Sequence, residues 1–229
     1  MESLALKIIR FYREITPPID LPKGVDVLYP QKDPQVMKIV KQFFQKFYGD
    51  NAPRHFIFGI NPGRFGAGVT GINFTAPKQL RENCGINHQL GNSSELSAEF
   101  IYEVIERYGG ATAFYSDYFI SAVSPLGYIK DGKNLNYYDN KELQEKLMPF
   151  IDAEIENKFS FEFNTDSCIC IGGEKNYKFF SSLNEERKKN GKKYFRQITP
   201  LPHPRFILQY RRKEKEIFVN AYLDALKRN

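Results

Sequence analysis

The chain has 229 residues, of which 41% are hydrophobic and 26% charged, and its formal net charge is +6. These values are typical of a globular protein, and the length fits one domain over residues 1–229. No apolar stretch is long enough to span a bilayer, which excludes a transmembrane helix, and the excess of positive charge favours a polyanionic partner.

The cysteines indicate the compartment. Cys84, Cys168 and Cys170 form an odd set without zinc-ligand spacing, and two of them lie in one apolar run. This usage predicts free core thiols in a reducing environment, with no metal site. The N-terminus has no basic segment followed by an apolar core, so no signal peptide is predicted. We expect an intracellular, cytoplasmic protein without membrane association.

Helices and buried strands alternate along the chain. Apolar residues at spacings of three and four predict helices at 3–14, 33–47, 96–108, 141–158, 174–190 and 208–227. Apolar runs closed by Gly or Pro predict strands at 55–60, 112–123, 167–171 and 194–199. This order favours a three-layer α/β/α fold, in which a central four-stranded, mainly parallel sheet has helices on both faces.

Polar side chains follow several predicted strands. Asn61 follows the first strand, Ser124 the second and His203 the last. Ligands of open α/β sheets bind outside the carboxyl ends of the strands, so we expect these three side chains to meet at one edge of the sheet. The pair Gly172-Gly173 after the third strand suits either a phosphate or a close turn.

Residues 59–74 are the most informative segment, and they read Gly-Ile-Asn-Pro-Gly-Arg-Phe-Gly-Ala-Gly-Val-Thr-Gly-Ile-Asn-Phe. The glycines allow a flat or phosphorylated ligand to approach the main chain. Asn61 offers an amide that donates and accepts, and Phe74 offers an aromatic face. The pattern favours a nucleobase pocket; an Asn-Pro-Gly turn and a core phenylalanine are the structural alternatives.

Two motifs resemble those of the uracil-DNA glycosylase superfamily, and within it the single-strand-selective monofunctional uracil-DNA glycosylases. The family motif Gly-Met-Asn-Pro-Gly-Pro-Phe-Gly is matched at residues 59–66, with Ile60 for Met and Arg64 for Pro, and a Thr-Gly-x-x-Phe element is matched at 70–74. The family motif His-Pro-Ser-Pro-Arg is matched in shortened form at residues 203–205. The chain looks like a divergent bacterial branch.

The resemblance implies a uracil-DNA glycosylase-like fold and a monofunctional DNA glycosylase that acts without a cofactor. It would hydrolyse the N-glycosidic bond of uracil or a related deaminated base and leave an abasic site, as in base excision repair. Asn61 and His203 would be catalytic, Asn61 by holding the water or the base and His203 by donating a hydrogen bond to the base carbonyl. The residues expected to contact the base are Ile60, Gly63, Phe74 and Ser124.

The implied partner is DNA, single- or double-stranded. Cations and aromatic groups after His203 suit phosphates and the gap left by a flipped nucleotide, although a solvated surface has the same composition. The predicted DNA-binding residues are Arg64, Arg205, Phe206, Tyr210, Arg211, Arg212 and Lys213. His55 and His88 are interpreted as structural. Without the motif, His203 would also be interpreted as a structural histidine of a loop.

One departure from the family concerns the identity of the base. The family has an asparagine that reads the Watson-Crick edge two residues before the position of Ser124, and this chain has Ala122 there. Ser121, Ser124 or backbone groups would have to replace it, so the sequence does not define the preferred base. Two alternatives follow: a non-catalytic binder of damaged or single-stranded DNA that retains the pocket, and an enzyme acting on a small nucleotide or phosphorylated metabolite.

Overall fold

The structure is a computed structural model that describes residues 2–161 and 163–228. Its centre is a four-stranded sheet with strand order β3-β2-β6-β7, in which every neighbouring pair is parallel. The strands, numbered in chain order, are β2 (His55–Gly59), β3 (Tyr118–Ala122), β6 (Asn164–Ile171) and β7 (Gln197–Leu201). Helices cover both faces, which confirms the predicted α/β/α architecture.

Five long helices lie close to their predicted bounds: α1 (Leu4–Glu14), α2 (Pro34–Phe47), α5 (Leu96–Tyr108), α7 (Lys141–Phe159) and α8 (Gly173–Lys189). Polar side chains fix three of their starts. The side chains of Ser3, Asp33 and Asn140 accept hydrogen bonds from the first-turn amides of α1, α2 and α7. Two short helices, α3 (Ala67–Thr70) and α4 (Pro77–Glu82), follow β2.

The predicted strand at 112–123 is wrong in its first half. Residues Gly110–Asp117 form a helix, α6, and only the last five residues before Val123 form β3. Gly109 and Gly110 have φ angles of 129° and 87°, so they end α5 and turn the chain before α6 begins. Tyr115 packs edge-on against Phe43 of α2, and this tertiary contact overrides the strand preference of an aromatic run.

The predicted helix at 208–227 is also wrong, because the segment is divided. It consists of α9 (Pro204–Tyr210), a 3-10 turn at Arg212–Glu214 and α10 (Lys215–Arg228). The chain starts α9 earlier than predicted because the His203 side chain caps it and Pro204 suits the first helical position. The strand predicted at 194–199 is shifted, since β7 occupies residues 197–201.

A second, antiparallel sheet was missed by the sequence prediction. It joins β1 (Val25–Leu28), β4 (Gly127–Lys130) and β5 (Lys133–Leu135), which are short and only partly buried. The hairpin of β4 and β5 packs on the loop after β2. A Cβ atom at Gly127 would lie 2.3 Å from the Pro62 carbonyl oxygen, so this close approach requires glycine.

The two faces of the parallel sheet carry different side chains. Ile57, Ile120 and Ile169 line one face together with side chains of α5 and α10. Phe58 and Phe119 line the other face, where Phe58 packs on Phe180 of α8 and Phe119 on Phe44 of α2. Among the described residues, no helix combines the length and apolar character that a membrane span requires.

A buried lysine lies beneath the edge strand β3. Lys158 of α7 is 1% exposed and its Nζ donates to the Ala122 carbonyl oxygen at 3.1 Å. The same nitrogen lies 5.4 Å from the centre of the Phe11 ring and 5.9 Å from that of Phe58. Loss of hydration lowers the pKa of Lys158 to about 7, although the Glu154 carboxylate opposes the change.

Lys158 therefore gives stability a specific pH dependence. Its folded-state pKa lies below the unfolded value of 10.5, so between these values the unfolded chain binds more protons and stability rises with pH. We expect the free energy of unfolding of the wild type, measured relative to Lys158→Met by denaturant titration, to rise by about 2 kcal/mol from pH 7 to pH 9. If the difference in unfolding free energy between the wild type and Lys158→Met does not change with pH, the lowered pKa of the buried Lys158 is contradicted.

Candidate active site

A cleft of about 400 Å³ opens at the carboxyl ends of β2, β3 and β7. This volume is within the range of small-molecule and cofactor sites. The residues predicted from the sequence that line it are Ile60, Asn61, Gly63, Phe74, His203, Arg205, Phe206 and Tyr210. The structure thus brings the residues of both motifs, which are far apart in the sequence, to one place.

The amide of Asn61 is held by backbone groups at the end of β5 and just after it. Its Nδ2 donates to the Leu135 carbonyl oxygen at 3.1 Å, and its Oδ1 accepts from the Tyr137 amide at 3.1 Å. These bonds fix which end of the amide carries oxygen and which carries nitrogen. One lone pair of Oδ1 and the second N–H remain for a ligand, apart from a weak contact of that N–H group with the Pro62 carbonyl oxygen at 3.4 Å.

A buried polar chain supports this arrangement. The Tyr137 hydroxyl donates to Oδ1 of Asn176 at 2.7 Å, and Nδ2 of Asn176 donates to the Ile171 carbonyl oxygen at 3.0 Å. Tyr137 and Asn176 are both fully buried. The segment that holds Asn61 is therefore anchored to the end of β6, and it is positioned before any ligand binds.

The ring of Phe74 lies against the end of β2. A Cβ atom at Gly59 would lie 2.8 Å from the ring, so glycine is needed there. Phe74 has a φ angle of 52°, in the left-handed region that costs a bulky residue about 1 to 3 kcal/mol. Hydrogen bonds of Thr70 and Thr75 hold the surrounding turn, and the strain places the ring in the cleft.

His203 faces Phe74 across the cleft. The ring centroids are 5.9 Å apart, and Nδ1 of His203 accepts from the Arg205 backbone amide at 3.1 Å. An accepting Nδ1 places the proton of the neutral ring on Nε2, which is then a donor. Desolvation first, and the Arg205 cation second, lower the pKa of His203 to about 4. The imidazole is therefore neutral at physiological pH.

Glu95 adds a carboxylate that the sequence analysis did not identify. It lines the cleft between the loop after β2 and α9. A Cβ atom at Gly66 would lie 2.1 Å from its Oε1, so the carboxylate packs on the main chain of that loop. Burial raises the pKa of Glu95, and the Arg205 cation partly opposes this rise. The wall between the two motifs thus carries opposite charges.

Ser124 is not where the sequence placed it. It is fully buried, its hydroxyl donates to the Leu126 carbonyl oxygen at 3.1 Å, and it lies 2.8 Å from the Tyr128 hydroxyl. It is not among the cleft residues, whereas Ala122 is. The hydroxyl of Ser124 is therefore used within the turn between β3 and β4, and this arrangement does not support the predicted contact with the base.

The predicted DNA-binding residues divide into two groups. Arg205, Phe206 and Tyr210 line the cleft. The others are exposed but outside its lining: Arg64, Arg211, Arg212 and Lys213. Arg64 stacks its guanidinium 4.5 Å from the centre of the Phe65 ring and donates to the Gly132 carbonyl oxygen, and Arg211 pairs with Glu214 at 2.7 Å.

Several cleft residues were given no role by the sequence prediction. They come from segments that the prediction left as loops: Asn73, Glu95, Asn134, Asn136 and Tyr138. Three of them belong to the chain around β5, whose strand was missed. Within residues 2–161 and 163–228, no group of three or more His, Cys, Asp or Glu side chains is arranged to hold a metal ion.

Comparison with known proteins identifies the family. Residues 46–227 match the model of the uracil DNA glycosylase superfamily. The fold is similar to the crystal structure of wild-type SMUG2 from Pedobacter heparinus, with a TM-score of 0.93 and 40% sequence identity over 99% of this chain and 98% of that one. No match is found among curated proteins. The chain therefore belongs to the uracil-DNA glycosylase superfamily.

Proposed function

We propose that this protein is a monofunctional DNA glycosylase that hydrolyses the N-glycosidic bond of uracil or a related deaminated base in DNA. The observation that supports this most directly is the single cleft shared by Asn61, Phe74 and His203. Membership of the superfamily supports the glycosylase-like chemistry, and the cleft residues suggest how it would be performed.

Base removal leaves an electron-poor sugar and an anionic base, so the enzyme must stabilise the negative charge that develops on the base. In the proposal, Nε2 of His203 donates to a carbonyl oxygen of the base. A neutral donor is suited to this task because it stabilises the leaving anion without having to transfer a proton. One such preorganised donor is worth about 3 to 4 kcal/mol.

Asn61 would position the attacking water or the base rather than remove a proton. Its amide is a poor base, so the proposed contribution is orientation, for which a fixed side chain is required. Phe74 would stack on the extruded base, which is worth about 1 to 3 kcal/mol and does not depend on base identity. The proposed reaction leaves an abasic site and a free base, and it uses no covalent enzyme intermediate.

The α9 surface, defined as Arg205, Phe206 and Tyr210 of α9 together with Arg212 of the 3-10 turn that follows, would contact the DNA strand. Phe206 and Tyr210 are exposed, with ring centroids 5.8 Å apart. Exposed aromatic rings beside cations are typical of surfaces that stack on bases and neutralise phosphates.

The first test is excision from oligonucleotides that contain uracil, hypoxanthine or xanthine, read as strand scission after alkali. We expect Asn61→Ala and His203→Ala each to lower the single-turnover rate by about 100- to 1000-fold. His88→Gln is the matched histidine control, since His88 bonds to Pro77 and Leu90 outside the cleft. Tight binding by the wild type without scission would contradict the proposed enzyme and favour a non-catalytic binder.

The protonation state of His203 can be measured directly. Because desolvation and Arg205 lower its pKa to about 4, the imidazole should titrate in NMR spectra with a midpoint well below the ordinary value of 6.5. Arg205→Met should raise that midpoint. Between about pH 6 and 8, the excision rate should show no change that is caused by ionisation of His203. A midpoint near 6.5 would contradict the neutral donor.

The α9 surface predicts a salt-dependent contribution to DNA binding. We expect Arg212→Ala to weaken binding uniformly across sequences and to reduce the slope of log affinity against log salt by about 1. Lys189→Ala is the control, because Lys189 ends α8 about 24 Å from the cleft end of that helix. Equal slopes for Arg212→Ala and Lys189→Ala would show that Arg212 does not contact the DNA.

A further inference from the structure

The cleft has no polar side chain at the position where the family has its base-reading asparagine. Ala122 lines the cleft but has no polar side-chain atom, and its carbonyl oxygen already accepts from Lys158. Ser124 is used within its own turn, and Ser121 is 1% exposed and lies outside the cleft lining. A side chain that distinguishes bases therefore has to come from another wall of the cleft.

Asn73 is the cleft amide best placed for this role. It is 8% exposed, lines the cleft, and directly precedes Phe74 in the chain. The other amides have different surroundings: Asn61 is held on both sides, and Asn136 pairs with Asp139. Asn134 is exposed and accepts from the Arg64 amide, and Gln209 is an exposed residue of α9.

The backbone at Asn73 is fixed. The Thr75 hydroxyl donates to the Asn73 carbonyl oxygen at 3.1 Å, and the Thr70 hydroxyl donates to the Thr75 carbonyl oxygen at 2.6 Å. The next residue, Phe74, is the strained one that carries the aromatic face. A base stacked on Phe74 would therefore meet the Asn73 side chain in a defined geometry.

The orientation of the Asn73 amide is also defined. Nδ2 donates to the Tyr12 hydroxyl at 3.3 Å, and Tyr12 is a buried residue of α1 whose pKa is raised by desolvation, so the hydroxyl stays protonated. One N–H of Asn73 is used in this bond. Oδ1 and the second N–H group have no hydrogen-bond partner within the described part of the chain, which leaves one acceptor and one donor side by side.

We propose that Asn73 reads the edge of the flipped base and selects deaminated bases; this rests on the proposed glycosylase function. Uracil, hypoxanthine and xanthine each present a ring N–H donor next to a carbonyl acceptor. Oδ1 accepts from that ring N–H, and Nδ2 donates to that carbonyl. Cytosine and adenine present the reverse order, a ring nitrogen acceptor next to an amino donor. In the anchored amide, that acceptor would face Oδ1, which is also an acceptor, and the amino group would face Nδ2, which is also a donor.

The test compares Asn73→Ala with Asn220→Ala, the same deletion on the exposed face of α10. We expect Asn73→Ala to lower single-turnover excision of uracil and hypoxanthine by about 10- to 100-fold. Affinity for an oligonucleotide with a tetrahydrofuran abasic-site analogue should be unchanged, because that probe has no base. Asn220→Ala should equal the wild type in both measurements.

Tyr12→Phe provides a second variant that keeps the ring and removes the hydroxyl that anchors the Asn73 amide. We expect it to reduce the preference for uracil over cytosine, measured as binding of oligonucleotides that carry non-hydrolysable 2′-fluoroarabino nucleotides. The far-ultraviolet spectrum and melting temperature of each variant establish that it is folded before these comparisons are made.

The outcomes separate this proposal from the proposed function. If the wild type excises uracil and Asn73→Ala retains both its rate and its preference for uracil, Asn73 is not the reader and the glycosylase function stands. The wild type could instead excise nothing but bind the uracil analogue more tightly than the cytosine analogue. If Asn73→Ala then loses that preference, the role of Asn73 in base selection is supported and the proposed catalytic function is overturned. If the wild type neither excises nor discriminates, both are overturned.

Discussion

Two hydrogen bonds on the amide of Asn61 join the end of the parallel sheet to the end of β5 and the residues after it, and the arrangement of the cleft depends on them. They use the Leu135 carbonyl oxygen and the Tyr137 amide, and Tyr137 is in turn bonded to Asn176 at the end of β6. The second sheet is thus a support for the site as well as a cover for the core. A side chain held in this way loses little freedom when a ligand binds.

The opposite wall is organised by electrostatics. His203 caps α9 through its own Nδ1, so a single contact both starts a helix and determines which ring nitrogen carries the proton. Desolvation and Arg205 then keep the ring neutral. The cleft contains a carboxylate, Glu95, whose ordinary ionisation is disfavoured by burial. The proposed chemistry therefore relies on fixed dipoles and hydrogen-bond donors more than on a strong base.

The sequence predicted what depends on local pattern and failed where long-range contacts decide. The strand before Asn61 and the helix at 96–108 were found because apolar periodicity and Gly or Pro punctuation are local signals. The surroundings of Ser124 could not be predicted, because spacing alone cannot show that a hydroxyl bonds within its own turn. Asn73 lies in the informative segment 59–74 but was given no role, since its position depends on the strained turn at Phe74 and on Tyr12, which lies 61 residues away in the chain.

The proposed placement of uracil against Phe74, His203 and Asn61 can be tested by a crystal structure of the protein bound to an oligonucleotide with a non-hydrolysable 2′-fluoroarabino uridine. We expect the uracil ring to stack on Phe74, with a carbonyl oxygen within hydrogen-bond distance of Nε2 of His203 and the sugar facing Asn61. The DNA strand should run along the α9 surface. A uracil bound outside this cleft, or in the cleft with its carbonyl oxygens turned away from His203, would contradict it.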